Sequence, residues 1–186
     1  IKLDRETLLR LADELDGAET RDFHRYVNQR ASLEAFLADA SLSFFYEGDA
    51  SLLAGQSKAF LEWMAPYFAA QFNLRLIHAL KQKDFEEIQV MCAVPLYVPA
   101  AYQAACYQDS YRYLHAQVED IEQLTSQISQ GEAPDGRVQE FCDEMLIDSL
   151  NVLPAYFSGV RDRYGIALEN LAIEVVTNLP VPGLFF

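Results

Sequence analysis

Basic side chains are scarce in this chain of 186 residues. It has 14 Lys and Arg residues against 28 Asp and Glu residues, which gives a formal net charge of −14 at pH 7. Nucleic-acid binding depends largely on cationic side chains that displace counterions from phosphates, and anionic membranes attract proteins through the same side chains. The charge balance therefore excludes a protein that reads nucleic acid, and it predicts no membrane partner.

Cysteines and long apolar runs are also few. The three cysteines, Cys92, Cys106 and Cys142, are odd in number and have no C-x-x-C spacing. We expect reduced thiols in the core, because a free Cys behaves as a small apolar side chain. No stretch approaches the roughly 20 apolar residues that a membrane span needs. Residues 1–10 are charged and amphipathic, unlike the apolar core of a signal peptide. These features predict a cytoplasmic protein.

Catalytic and metal-binding motifs are absent from the sequence. It contains no G-x-S-x-G, H-E-x-x-H, Walker A or G-x-G-x-x-G pattern. Each of its three histidines has an Arg three residues before it, where a di-iron bundle would have Glu, and this like charge disfavours a bound cation. The pairs are Arg21 with His24, Arg75 with His78, and Arg112 with His115. We predict no catalytic residue, no metal, no cofactor and no enzymatic activity.

The histidines have individual structural interpretations. His78 lies in an apolar run and is expected to be a hydrogen-bonded core residue. His115 is expected to pair at the surface with Glu119, four residues later on the same helix. His24, among many aromatic residues, keeps open an alternative function as a small-molecule-binding helical bundle.

Helical spacing dominates the chain, which is 51% hydrophobic and 23% charged, as in an ordinary globular domain. We predict one all-α domain over residues 1–186, an irregular bundle of six to eight helices built from antiparallel hairpins. Residues 178–186 are expected to form a proline-containing C-terminal strap or tail. The predicted helices cover about 4–16, 20–45 with a break near 28–30, 52–80 with a kink at Pro66, 85–93, 99–130, 137–153, 154–164 and 166–177.

Acidic residues are concentrated in one part of the chain. Residues 101–150 carry 2 basic and 10 acidic side chains, a net charge of −8. In the predicted helix 137–153 the acidic residues share one half and surround one apolar residue, Ile147. Like charges four residues apart destabilise a helix by a few tenths of a kcal/mol, so this ridge suits either a solvated face or a surface that meets cations.

The acidic ridge combines with acidic residues near the end of the preceding helix if the two helices pack antiparallel. The resulting negative patch is our predicted partner-binding site for a basic protein. Its residues are Glu119, Asp120, Glu122, Glu140, Asp143, Glu144, Ile147 and Asp148.

Two sequence stretches resemble a known family. The helix, turn and helix start A-L-K-Q-K-D-F-E-E (residues 79–87) and the following V-P-L-Y-V-P (residues 94–99), with the acidic balance, resemble the all-helical immunity proteins of bacterial polymorphic or secreted toxin systems. The resemblance implies a cytosolic antidote that binds a cognate toxin, such as a nuclease, and occludes its active site.

A second interpretation is a helical adaptor or assembly protein. Its oligomer contact would be either the C-terminal Leu184–Phe186 or the aromatic segment from Phe60 to Phe72. The sequence determines neither the stoichiometry nor the oligomeric state.

Overall fold

The computed structural model describes residues 17–132, 137–141 and 144–178, with the backbone alone at residue 144. These residues form nine α-helices and two 3₁₀ segments, Asp49–Gly55 and Ala155–Phe157, and contain no strand. The predicted all-α class is confirmed. The helices are α1 (Ala18–Asn28), α2 (Ala31–Asp39), α3 (Ser43–Tyr46), α4 (Lys58–Gln82), α5 (Phe85–Cys92), α6 (Ala100–Ser129), α7 (Val138–Phe141), α8 (Glu144–Val152) and α9 (Ser158–Asn178).

The predicted helix over residues 20–45 is divided into three. The first break, at Gln29 and Arg30, is the predicted one. The second lies at Ala40, whose φ of 58° is left-handed, and the sequence did not indicate it because alanine favours helix and rarely adopts a positive φ. The turn lets Phe36 of α2 pack against Phe44 and Phe45, with ring centroids 5.5 and 5.1 Å away.

Helix α4 begins later than predicted and continues through Pro66. Ser57 is its N-cap, because its side chain accepts a hydrogen bond from the Phe60 backbone N–H at 3.1 Å. An interior proline costs about 3 kcal/mol. Burial of Phe68 and Phe72 beyond the proline offsets this cost, since each buried Phe contributes about 1.5–3 kcal/mol.

Helices α5 and α6 have the predicted ends. The Asp84 side chain caps α5 by accepting a hydrogen bond from the Glu87 N–H at 3.1 Å. Gly131 follows α6 with a φ of 84°, and its N–H donates to the Ile128 carbonyl at 2.9 Å. Both ends were predictable because they depend on a capping carboxylate and a glycine within the local sequence.

Helices α4 and α6 run in the same direction. Near their starts, Leu61 and Val98 line one groove. Further along, the rings of Phe72 and Tyr107 are 5.8 Å apart, and the Lys81 ammonium lies 5.9 Å from the Tyr113 ring. The two helices do not form an antiparallel hairpin, because α5 and the non-helical residues 93–99 carry the chain back along α4 before α6 begins.

Helices α6 and α9 also run in the same direction. Phe157, just before α9, contacts Tyr107 with ring centroids 5.2 Å apart, and Arg163 of α9 pairs with Glu122 further along α6 at 3.1 Å. The return segment here contains α7 and α8, and α8 packs against α5. The long helices of the described chain are therefore linked by short returning helices.

Helix α9 is continuous where the sequence indicated a break at Gly165. Val160, Tyr164, Ala167 and Leu171 are buried along one side of it. This spacing of three and four residues crosses Gly165 without interruption, so burial of the apolar side outweighs the cost of about 0.5–1 kcal/mol for a helical glycine.

The buried apolar residues of the described chain form one cluster, whose largest members include Phe36, Phe44, Phe72, Phe157 and Tyr164. None of the described helices combines the length and apolar content of a membrane-spanning segment. The predicted first helix (residues 4–16), Cys142 and residues 179–186 of the predicted strap lie outside the described residues.

Candidate partner-binding groove

Helix α8 separates apolar and acidic residues as the sequence predicted. Leu146 and Leu150 are buried, whereas Asp148 is exposed and Ile147 is 40% exposed. Glu140 is also exposed, on α7. Asp143 and the side chain of Glu144 lie outside the described residues. The part of the predicted ridge that is described therefore faces outwards.

A groove of about 510 Å³ lies between α8 and α9, and Ile147 lines it. We call it the α8–α9 groove. Its remaining lining residues are Leu150, Asn151, Arg161, Asp162, Tyr164, Gly165, Ile166, Leu168 and Glu169.

Apolar side chains at the α8–α9 groove are unusually exposed. Ile166 of α9 is 60% exposed and lines the same groove as Ile147 of α8. The outward face of α9 continues with Ile173, seven residues later and 56% exposed. An exposed apolar patch with a polar rim is typical of a site that meets another molecule.

Carboxylates lie near these apolar residues. Asp162 and Glu169 line the groove, and Asp148 directly follows Ile147. None of the three carboxylates makes a hydrogen bond or ion pair within the part of the chain that the structure describes. Arg161 is the basic residue among the lining residues, so acidic side chains outnumber basic ones here.

The predicted acidic residues of α6 have a different environment. Glu122 pairs with Arg163 at 3.1 Å, and Glu119 pairs with His115 at 3.3 Å, as predicted for this histidine. Asp120 is exposed and has no such partner among the described residues. Glu122 therefore has a cationic partner within the chain, and Glu119 contacts an imidazole.

The two acidic groups lie on either side of α9. Arg163 reaches across to Glu122 on α6, whereas its neighbour Asp162 lines the α8–α9 groove. The antiparallel packing of α6 on the helix after residue 137, which the predicted continuous patch required, is not how the chain is arranged: α6 packs on α4 and α9, and α8 packs on α5.

Sequence reasoning missed the α9 side of the groove. The predicted break at Gly165 assigned Asp162 to one helix and Glu169 to another. The continuous apolar spacing through Tyr164, Ala167 and Leu171 was the available signal. It places Asp162, Ile166 and Glu169 together on the opposite face.

The structure also gives the environments of the other two histidines, His78 and His24. His78 is exposed, so the prediction of a core histidine is wrong: Ala79 and Leu80 turn inwards, and His78 lies on the outer side of α4. His24 packs edge-on against Trp63, with ring centroids 4.9 Å apart. Across the described residues, no three His, Cys, Asp or Glu side chains are grouped as a metal ion would require.

No family model, curated protein or solved structure matches this chain. The resemblance to immunity proteins therefore stays a prediction, and a functional assignment depends on the geometry of the site.

Proposed function

We propose that this chain is a non-enzymatic, acidic binding protein that neutralises a basic protein partner, in the manner of an immunity protein that blocks a cognate bacterial toxin in the cytoplasm. The observation that carries the proposal is the α8–α9 groove. There, exposed Ile147 and Ile166 lie among carboxylates that have no partner in the described chain.

The chemistry of the groove suits a basic, amphipathic segment of a partner. Apolar side chains of that segment would cover Ile147 and Ile166, and its Lys or Arg side chains would pair with Asp162 and Glu169. Apolar contacts at the centre and charges at the rim are the usual anatomy of a protein interface. Neutralisation then needs only occlusion of the partner's functional surface.

The net charge of −14 supports rapid association with a basic partner. Electrostatic steering raises association rates by about 10- to 1,000-fold, and salt weakens it. An antidote benefits from this speed, because it must reach the toxin before the toxin reaches its target.

The test begins by using the chain as bait in extracts of its source organism and purifying the captured basic protein. Association and dissociation rates are then measured at several salt concentrations for two triple variants. The groove triple is Asp148→Asn, Asp162→Asn and Glu169→Gln. The control triple is Glu19→Gln, Glu47→Gln and Glu86→Gln, which neutralises three exposed acids away from the groove.

Both triples change the net charge by the same amount, so their comparison separates a site from overall charge. We expect the groove triple to weaken binding at least about tenfold and the control triple to change it far less. Co-expression with the partner should relieve its toxicity in cells, and the groove triple should relieve it less. Equal effects of the two triples, or a captured partner that is not toxic, would contradict the proposal.

The adaptor alternative suggested two contacts. In the aromatic segment Phe60, Phe68 and Phe72 are buried in the core, whereas Tyr67 of the same segment is 47% exposed. The other suggested contact, Leu184–Phe186, lies outside the described residues.

A further inference from the structure

A second groove, of about 300 Å³, lies between α1, α2 and α4, and aromatic rings form one wall of it. We call it the aromatic groove. Its principal lining residues are Trp63 and Tyr67 from α4, Glu34 and Leu37 from α2, and His24 and Val27 from α1. None of these residues lines the α8–α9 groove.

Trp63 is held in a fixed position by its neighbours. The rings of Phe23 and Phe60 lie 5.6 and 5.9 Å from its centroid, and His24 contacts it edge-on. Tyr67, one helical turn later, has its ring 6.0 Å from Trp63 and is 47% exposed. The two rings therefore present a preformed aromatic surface to the groove, with little ordering required on binding.

Helix α2 supplies a carboxylate to the aromatic groove. Glu34 is exposed, and its carboxylate makes no hydrogen bond or ion pair within the described part of the chain. The nearby cations are already engaged: Arg25 pairs with Asp22 at 2.7 Å, and the Arg30 guanidinium lies 3.5 Å from the Tyr26 ring centroid. The second of these contacts is a cation–π pair made by the chain itself.

We propose that the aromatic groove binds an arginine side chain of the basic partner, with the guanidinium over Trp63 and Tyr67 and its N–H groups donating to Glu34. This inference rests on the proposed function for the identity of the partner. A guanidinium fits better than an ammonium, because it is planar, weakly hydrated and able to stack on a ring while donating to a carboxylate.

The chain offers its own probe for this site, since Trp63 is its single tryptophan. The wild-type protein is titrated with Nα-acetyl-L-arginine amide while Trp63 fluorescence is recorded. Nα-acetyl-L-citrulline amide, which has nearly the same shape without the charge, is the control ligand. We expect a saturable change with the arginine compound and at least about threefold weaker binding of the citrulline compound.

Two variants and one matched control locate the binding. Glu34→Gln removes the carboxylate without changing its shape, and Tyr67→Leu removes an exposed ring. Each should weaken binding of the arginine compound about threefold. Glu47→Gln makes the same charge change at an exposed acid outside the groove and should leave binding unchanged. Circular dichroism of each variant checks that the fold is retained.

The outcomes separate this inference from the proposed function. The absence of a saturable signal, equal binding of the citrulline compound, or equal effects of Glu34→Gln and Glu47→Gln would overturn the arginine site. That result would not contradict the α8–α9 groove, which is tested separately by the partner binding of the Asp148, Asp162 and Glu169 triple variant. Conversely, if the arginine compound binds as expected but the groove triple binds the partner normally, the arginine site stands and the α8–α9 groove does not.

Discussion

Arg75 of α4 and Glu87 of α5 form a two-pronged ion pair, in which the Arg75 Nη2 donates to the Glu87 Oε2 at 2.8 Å and the Arg75 Nε contacts the other carboxylate oxygen. The Glu87 side chain is 6% exposed, and that of Arg75 is 33% exposed. A carboxylate so deeply buried is stable only while its partner is present. The pair therefore fixes the returning helix α5 against α4, and α8 packs on α5 in turn.

Removal of the arginine should destabilise the fold strongly. We expect Arg75→Met to lower the free energy of unfolding by about 3 kcal/mol, because it leaves Glu87 buried and unpaired. The double variant Arg75→Met with Glu87→Met should recover most of that loss. Urea unfolding followed by circular dichroism measures both.

The control for this prediction is Arg112→Met. Arg112 pairs with Asp109 at 3.5 Å, and both side chains are more than half exposed. Such a pair contributes about 0–1 kcal/mol. If Arg75→Met and Arg112→Met proved equally mild, α5 would be held by its apolar contacts alone.

Two glycines should respond in opposite directions to alanine. Gly165 lies inside α9, where an added β-carbon would meet open space, so Gly165→Ala should stabilise the protein by about 0.5–1 kcal/mol. Gly131 has a φ of 84°, where alanine is strained, so Gly131→Ala should destabilise it by about 1 kcal/mol. Thermal unfolding of the two variants beside the wild type checks both signs. A destabilising Gly165→Ala would argue against the continuous helix.

Local chemistry explains which helix ends could be predicted. Asp84 and Gly131 act through hydrogen bonds within a few residues of themselves, and the sequence displays those residues directly. The break at Ala40 and the continuity at Gly165 oppose the ordinary preferences of their residues. Tertiary packing overrides these preferences at both positions. The contacts of Phe36 favour the break at Ala40, and burial of one side of α9 favours a continuous helix at Gly165.

One part of the candidate site was predictable from the sequence, and the other part depends on tertiary packing. Periodicity alone placed Ile147 and Asp148 on an exposed face of α8. Asp162 and Glu169 come from another helix, and only the tertiary fold brings them to the same groove as Ile147. The direction of α6 relative to α4 was equally hidden, because it depends on the path of residues 93–99 rather than on helix propensity.

The thiols of Cys92 and Cys106 should react slowly in the folded protein. Burial raises the pKa of each from 9.0 to about 12. At pH 8 the reactive thiolate is then about a thousandfold rarer than in the unfolded chain. Iodoacetamide labelling at pH 8, with mass spectrometry of the two cysteine peptides, should show strong protection that urea removes. Rapid labelling of either peptide without urea would contradict the burial.

The same pKa shifts predict how stability depends on pH. Above about pH 9 the unfolded thiols release protons that the folded thiols retain, so the free energy of unfolding should fall as the pH rises from 9 towards 12. Its slope should approach about 1.4 kcal/mol per pH unit for each thiol. Urea unfolding between pH 8 and 10 measures this. The double variant Cys92→Ala with Cys106→Ala should have a flatter profile.

The acidic residues of α6 and those of the α8–α9 groove should contribute unequally to partner binding. Glu122 and Glu119 already have Arg163 and His115 as partners, and Arg163 also donates to the His115 Nε2 at 3.0 Å. A cation of the partner would have to displace these contacts. Asp162 and Glu169 have no such contacts within the described chain, so they can pair without that cost.

Two double variants of equal charge change test this difference on the purified partner. We expect Glu119→Gln with Glu122→Gln to change the dissociation constant less than about twofold, and Asp162→Asn with Glu169→Gln to raise it about fivefold. Equal effects would mean that the partner responds to the net charge and not to a groove. A larger effect of the α6 variant would contradict the α8–α9 groove. It would place the binding surface on the other side of α9, where Glu122 pairs with Arg163.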